Sequence, residues 1–221
     1  MNKTLVLAQL IFFFLSVSLC HAQTTDSLMA PRVWLSADQS ALTPNGWADV
    51  GLFKNDATGV FAGSTPSAYQ MINFNKSLVF DGVDDYLKIP YSLDGLSEFS
   101  VLAVFQSADT TERGVWGSEE SARKVLLTTR RAVGPDSIAD SYGKAEKMAV
   151  LNSVVQSWED AGVSSSSGFT VIGSAGVSRN YKPFKGSIAE LIVFNRSLPF
   201  LERVQYETYL AIKYGTGLRG G

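Results

Sequence analysis

Apolar residues in this chain gather in short, β-branched-rich runs punctuated by Gly, Pro, Asn and Asp, and only one late stretch follows helical spacing. The run at residues 188–194 contains Ile188, Ala189, Leu191, Ile192, Val193 and Phe194, opened by Gly186. It is apolar on both faces except at Glu190, which predicts a central strand of a two-layer sandwich. Residues 99–106, F-S-V-L-A-V-F-Q, predict a second strand buried on both faces. Further strands are expected at residues 33–38, 125–129, 148–153 and 169–173. Residues 77–90 read as a hairpin with an Asp81-Gly82 turn, stopped by Pro90. Near the end, Asn195-Arg196-Ser197 forms a turn, Ser197 is an expected N-cap, and Pro199 fits the first helical turn. Leu201, Val204, Thr208, Ala211 and Ile212 share one helical face, with Glu202, Arg203, Glu207 and Lys213 on the other. Gly215 suits a left-handed C-cap. The pattern predicts an all-β fold: a two-sheet antiparallel sandwich with one C-terminal amphipathic helix covering one end. No internal repeat of about 20–50 residues is present, which argues against a solenoid or propeller.

The beginning of the chain changes the chemistry that is possible. Lys3 supplies a positive n-region, residues 5–19 an apolar stretch of about fifteen residues, and Cys20-His21-Ala22 a cleavage site after Ala22. Residues 1–22 therefore read as a signal peptide, which is too short to span a bilayer comfortably. Residues 23–31 read as a flexible arm, 32–215 as one domain and 216–221 as a tail. A lipoprotein signal with Cys20 as the lipidated residue is the rival reading, against which Leu19 stands as a poor fit. The only cysteine (Cys20) and the only histidine (His21) leave with the signal peptide. The mature chain then has no disulfide, no Cys nucleophile and no His base, which excludes Ser-His-Asp, Cys-His and zinc-hydrolase mechanisms. Carboxylate chemistry, oxygen-ligated Ca²⁺ or Mg²⁺, or no chemistry remain. A formal net charge of −2 without any basic run argues against nucleic acid as a partner. No other apolar stretch has transmembrane length, so the expected product is secreted, extracellular or held at the cell surface.

Two places invite a site. Asp81, Asp84 and Asp85 put three carboxylates within five residues. Hard oxygen ligands suit Ca²⁺, but Asp is also an ordinary turn former and the EF-hand spacing is absent, so metal and turn readings both stand. Residues 108–121 read as a loop holding Arg113, Trp116 and Glu119, with Gly114 and Gly117 around the tryptophan. That grouping fits a sugar-stacking site, or a Trp folded back over the sheet with glycines in turns. Residues 130–147 look like a long surface excursion, where Arg130 and Arg131 could meet an acidic sugar or form solvated ion pairs. Glu119-Glu120 and Glu159-Asp160 are adjacent pairs, which on a strand point to opposite faces and make poor glycosidase dyads.

Several motifs together resemble a known family. G-S-I-A-E-L-I-V-F-N-R-S-L at residues 186–198, F-D-G-V-D-D-Y-L at 80–87 and F-S-V-L-A-V-F at 99–105 are similar to laminin-G-like, concanavalin-A-like jelly-roll domains of secreted bacterial surface proteins. W-L-S-A-D at 34–38, W-A-D at 47–49 and N-D-A-T at 55–58 resemble the opening of the same domains, with Trp34 and Trp47 expected to pack at the sandwich edge. The resemblance covers nearly all of residues 32–215 and implies a jelly roll, but that fold carries lectins, adhesins, structural modules and glycanases alike. The E-x-D-x-E strand motif of one glycanase group does not occur. The expected function is an exported, non-catalytic module that recognises a polysaccharide or glycosylated surface and contributes to adhesion. A structural or protein–protein module of a larger surface protein is the alternative, and a carboxylate-based glycoside hydrolase the third reading. Relatives of this kind usually carry further domains after the module, so a free-standing module and a piece of a longer protein are both expected possibilities.

Overall fold

The two runs that are apolar on both faces lie side by side in the middle of one sheet. In a computed structural model these are β8 (Glu98–Ser107) and β15 (Lys185–Phe194), paired antiparallel. The structure describes residues 28–40, 42–43, 46–60, 63–66, 68–93, 96–118, 126–133, 138–141, 150–157, 168–174 and 182–217. The segment read as a signal peptide and the first part of the arm lie outside these residues, and the unit described below begins at Pro31. β13 (Val150–Ser157) flanks β8, while β6 (Asn75–Asp81) pairs with the first half of β15 and β1 (Val33–Ser36) with its second half. β5 (Ala68–Ile72) follows β6 and completes a six-stranded sheet.

The second sheet has nine strands in the order β12 (Ile138–Ser141), β11 (Arg131–Val133), β10 (Leu126–Thr128), β9 (Gly114–Ser118), β14 (Thr170–Ile172), β7 (Leu87–Ile89), β4 (Ala57–Gly59), β3 (Gly46–Trp47) and β2 (Leu42–Thr43). All pairings in both sheets are antiparallel. Between the sheets lies a core in which Phe80, Phe99, Phe105, Ile188, Leu191 and Val193 of the smaller sheet meet Trp47, Leu87, Ile89, Trp116 and Ile172 of the larger. Burying a side chain of this size contributes roughly 1.5–3 kcal/mol.

The other face of the six-stranded sheet explains why β8 and β15 are apolar all round. Leu102, Val104, Ala189, Ile192 and Phe194 form a second core with Leu210, Ala211 and Tyr214 of α1 (Phe200–Tyr214). The helix therefore lies on the outer face of the sheet and does not cover an end of the sandwich. Its buried stripe also differs from the expected one. Leu201 and Ile212 are about three-quarters exposed, whereas Tyr206, Tyr209 and Tyr214 face the sheet. Aromatic rings bridge the layer, with Tyr206 edge-on to both Trp34 and Phe194. The N-cap is Pro199, one residue outside the helix, and Gly215 takes the left-handed C-cap at φ 63°.

Two further expectations change. Strands β6 and β7 do not form a hairpin, because they belong to opposite sheets and residues 81–86 carry the chain across the sandwich edge. Residues 130–147, read as a surface excursion, contain the paired strands β11 and β12. A two-residue hairpin joins β5 to β6, where Ile72 pairs with Asn75 across Asn73 and Phe74. Both turn residues have positive φ, 46° and 66°. Asn tolerates that geometry, but a Phe there is strained by about 1–3 kcal/mol.

Candidate functional site

The outer face of the six-stranded sheet is divided into a covered half and an open half. Under the helix sits Glu190, 0 % exposed. A register shift between Ile188 and Glu190 breaks the alternation of β15, so that Ile188 faces the inner core while Glu190 faces the helix. Its carboxylate accepts from Trp34 Nε1 at 2.6 Å, Tyr214 OH at 2.6 Å and Lys213 Nζ at 2.9 Å. Tyr209 OH at 3.4 Å and Ser36 Oγ at 3.5 Å are looser partners. Burial pulls the Lys213 ammonium down, but the hydrogen bond and charge of Glu190 outweigh it and hold the group above the ordinary lysine value. Burial first, then the nearby negative charge, pushes the Tyr209 and Tyr214 hydroxyls up. This cluster bolts helix to sheet. The carboxylate at its centre is fully enclosed.

The open half mixes apolar surface with a few polar groups. Here β8, β15, β6 and β5 run side by side, and their outward residues surround a cleft of about 500 Å³. Gln70, Gln106, Asp81 and Lys185 supply amide, carboxylate and ammonium groups, while Val79 and Ala108 give an apolar floor. Gln70 Nε2 donates to Ser187 Oγ and, at 3.3 Å, to Gln106 Oε1, so the two amides are held across β6 and β15. Lys185 stands opposite Asp81 in register. Gly186, the next residue of β15, pairs with Phe80 on one side and Ser107 on the other at φ 146°, and a Cβ there would come 2.1 Å from the Gln106 carbonyl oxygen. Only glycine lets the strands approach so closely at the floor of the cleft.

At the rim, residues 81–86 turn from one sheet to the other. Asp81 Oδ1 accepts the backbone N–H groups of Val83, Asp84 and Asp85 at 2.7, 3.3 and 3.4 Å. Asp85 Oδ2 in turn accepts the Asp81 N–H at 2.9 Å. Asp81, Asp84 and Asp85 each offer a carboxylate oxygen, and these lie within 4.8 Å of one another. Desolvation would raise the Asp81 carboxyl, but its backbone hydrogen bonds prevail and hold it below the ordinary value. Desolvation lifts Asp85, and the charges of Asp81 and Asp84 add to the lift. The donor set fits a hard divalent ion, with remaining ligands required from water or hydroxyls. The turn is also complete without one, through the bonds just given.

The residues expected around residue 116 are separated by the fold. Trp116 lies on β9, inside the nine-stranded sheet, and its ring is 0 % exposed against Phe99. Its flanking glycines pair with β10 and β14 and do not make turns. A ring enclosed on both sides has no face to offer a sugar, so this placement corrects the stacking role expected for Trp116. Arg113 is buried as well: its guanidinium grips Asp109 at 2.7–3.2 Å and donates to Pro183 O at 2.9 Å. That hydrogen bonding, the largest influence, holds the Asp109 carboxyl low. Arg113 Nη1 also comes close to Gly82, within 3.2 Å of where a Cβ would stand. It thus ties the loop after β8 to the entry of β15, close beside the acidic turn. Glu119 lies outside the described residues. Trp47 is buried in the core, and Trp34 packs beneath the helix. Gln70, Gln106 and Lys185 were not expected as site residues. Their only sequence signal is polarity at the ends of apolar strands.

No known family model matches this chain, and no curated protein does. Among solved structures, a mutant of Trypanosoma rangeli sialidase displaying trans-sialidase activity is similar with a TM-score of 0.50 and 14% identity, over 77% of this chain and 31% of the sialidase chain. Trypanosoma rangeli sialidase in complex with sialic acid gives a TM-score of 0.47 and 15% identity over 77% of this chain and 31% of that one. A mutant of HCR/D gives 0.47 and 12% over 82% and 52%. The chain spans only about a third of the length of the sialidases it matches. At these identities the likeness is one of fold: a β-sandwich shared with part of larger proteins.

Proposed function

We propose that this chain is an exported, non-catalytic recognition module, a concanavalin-A-like jelly roll of the laminin-G-like kind, that binds a polysaccharide or a glycosylated surface. The open cleft on the six-stranded sheet, a mostly apolar surface edged by amide, carboxylate and ammonium groups, carries the reading. Amides both donate and accept, as neighbouring sugar hydroxyls do, and the Val79–Ala108 floor suits the C–H face of a sugar ring. The carboxylates around the cleft are engaged elsewhere: Asp109 with Arg113, and Asp81 Oδ1 with three backbone amides. This favours recognition over acid–base chemistry. Ca²⁺ held by Asp81, Asp84 and Asp85 would present further ligand positions to sugar hydroxyls at the rim. The export signal read in residues 1–22 supports a site of action outside the cell, and among the described residues no helix is long and apolar enough to cross a membrane.

The test is binding of the mature chain, from Gln23, to a glycan and polysaccharide panel, with Ca²⁺ and then with chelator. Saturable binding is expected, weakened at least tenfold by Gln70→Ala combined with Gln106→Ala while the melting temperature stays within about 2 °C. Loss of binding in chelator and in Asp84→Ala would support the metal. No binding by a folded wild-type chain would replace this reading with a structural or protein-binding module.

A further inference from the structure

The strained turn at the tip of the β5–β6 hairpin has no explanation in folding. Phe74 takes φ 66°, a conformation in which a two-residue turn ordinarily carries Gly or Asn, yet its side chain is 89 % exposed. The ring therefore returns almost no burial for the strain. The backbone beneath it is braced. Asn73 and Asn75 donate their Nδ2 groups to Lys213 O at 3.1 and 2.5 Å, and Asn75 also reaches Asn73 O at 2.9 Å. The turn is thus fastened to the C-terminal end of the helix, so the ring is presented on a fixed support. Such strain, held by its surroundings at an exposed position, points to function.

We propose that Phe74 is a stacking platform for one sugar ring of an extended polysaccharide chain whose other units occupy the cleft. This rests on the glycan reading above. Strand β6 runs from the tip to Asp81 at the cleft, six residue steps of ~3.3 Å, or about 20 Å. A monosaccharide or disaccharide reaches one end, whereas a chain of several units reaches both. Gln70, exposed on β5, belongs to the cleft end of this hairpin, and its cross-strand partner Ser77 is buried. Asn73, Asn75 and Lys76 stand near the ring in sequence together with the exposed Met71 and Tyr69 of the same hairpin, a mixture of polar and apolar groups that suits a sugar ring's apolar face and hydroxyl edge.

The experiment compares Phe74→Gly and Phe74→Tyr with wild type. The probes are hexasaccharides and matched disaccharides of cellulose, xylan, chitin, β-1,3-glucan and α-1,4-glucan. Wild type is expected to bind its preferred hexasaccharide at least tenfold more tightly than the disaccharide. Phe74→Gly should remove most of that gain and leave disaccharide binding unchanged, while melting about 2–4 °C higher because glycine relieves the turn. Phe74→Tyr should bind like wild type. Equal hexasaccharide binding by wild type and Phe74→Gly, or the absence of any length dependence, would overturn this inference and leave the glycan reading standing. A glycine variant that melts lower would remove its structural basis. Failure of wild type to bind any probe or polysaccharide would overturn both.

Discussion

Two halves of one sheet face, built from the same strands, are used in opposite ways. The covered half sets Leu102, Val104, Ile192 and Phe194 under the helix and closes around one buried carboxylate. The open half sets Gln70, Gln106, Asp81 and Lys185 toward solvent around a cleft. In the first, the polar groups are desolvated and converge on one carboxylate. In the second they are spread along a surface that a ligand can reach. The change occurs within β8 and β15 themselves: Val104 lies under the helix while Gln106, two residues further, lines the cleft. A sheet face can thus be core at one end and binding surface at the other, with the helix seat drawing the boundary.

The largest effect should come from breaking the buried pair. Lys213→Met leaves Glu190 without its counter-charge at an interior site, and a loss of about 3–5 kcal/mol in urea unfolding is expected. Combining it with Glu190→Leu should recover most of that loss, since an apolar pair needs no compensation. If the single variant unfolds like wild type, the covered half is not held by this charge pair.

Alkaline pH should sharpen the contrast next. The folded state holds the protons of Lys213, Tyr209 and Tyr214 above their ordinary values of 10.5, 10.0 and 10.0. Above about pH 10 the unfolded chain releases those protons first, so it binds fewer than the folded chain and stability falls as pH rises. Urea midpoints measured from pH 8 to 11 should decline above pH 10, and less steeply in Tyr214→Phe. A flat profile would mean that these groups titrate as if in water.

The smallest effect belongs to the open half. Asp84→Asn removes one of the charges that lift the Asp85 carboxyl, and should stabilise the chain by only about 0.2–0.5 kcal/mol in chelator at low salt. In millimolar Ca²⁺ the order should reverse if the three aspartates hold the ion, because wild type alone then gains from binding. An unchanged order in both conditions would leave the residues as a turn.

Much of this was legible in the chain. The runs at 99–106 and 188–194 declared strands buried on both faces, the glycine at 215 declared a helix end, and Glu190 stood out as one charge in an apolar strand. What covered the second face was not legible. Helical spacing placed Leu201 and Ile212 inside because it counts apolarity, whereas the sheet selected the aromatic stripe of Tyr206, Tyr209 and Tyr214, whose hydroxyls could also serve Glu190 or reach water. Trp116 misled for a similar reason. Glycines on both sides suggest a loop, but in a central strand they simply allow close neighbours.

Alternation, capping and composition depend on residues close in the chain, and those alone determined the long strands and the helix that ends at Gly215. Which strands share a sheet depends on contacts between residues far apart. Only the tertiary structure could send β6 and β7 to opposite sheets across the Asp81–Asp85 turn, lay the helix on one half of a face and leave the other half open. The cleft is a consequence of that last placement: Gln70, Gln106 and Lys185 are ordinary polar residues until four strands bring them together beyond the reach of the helix.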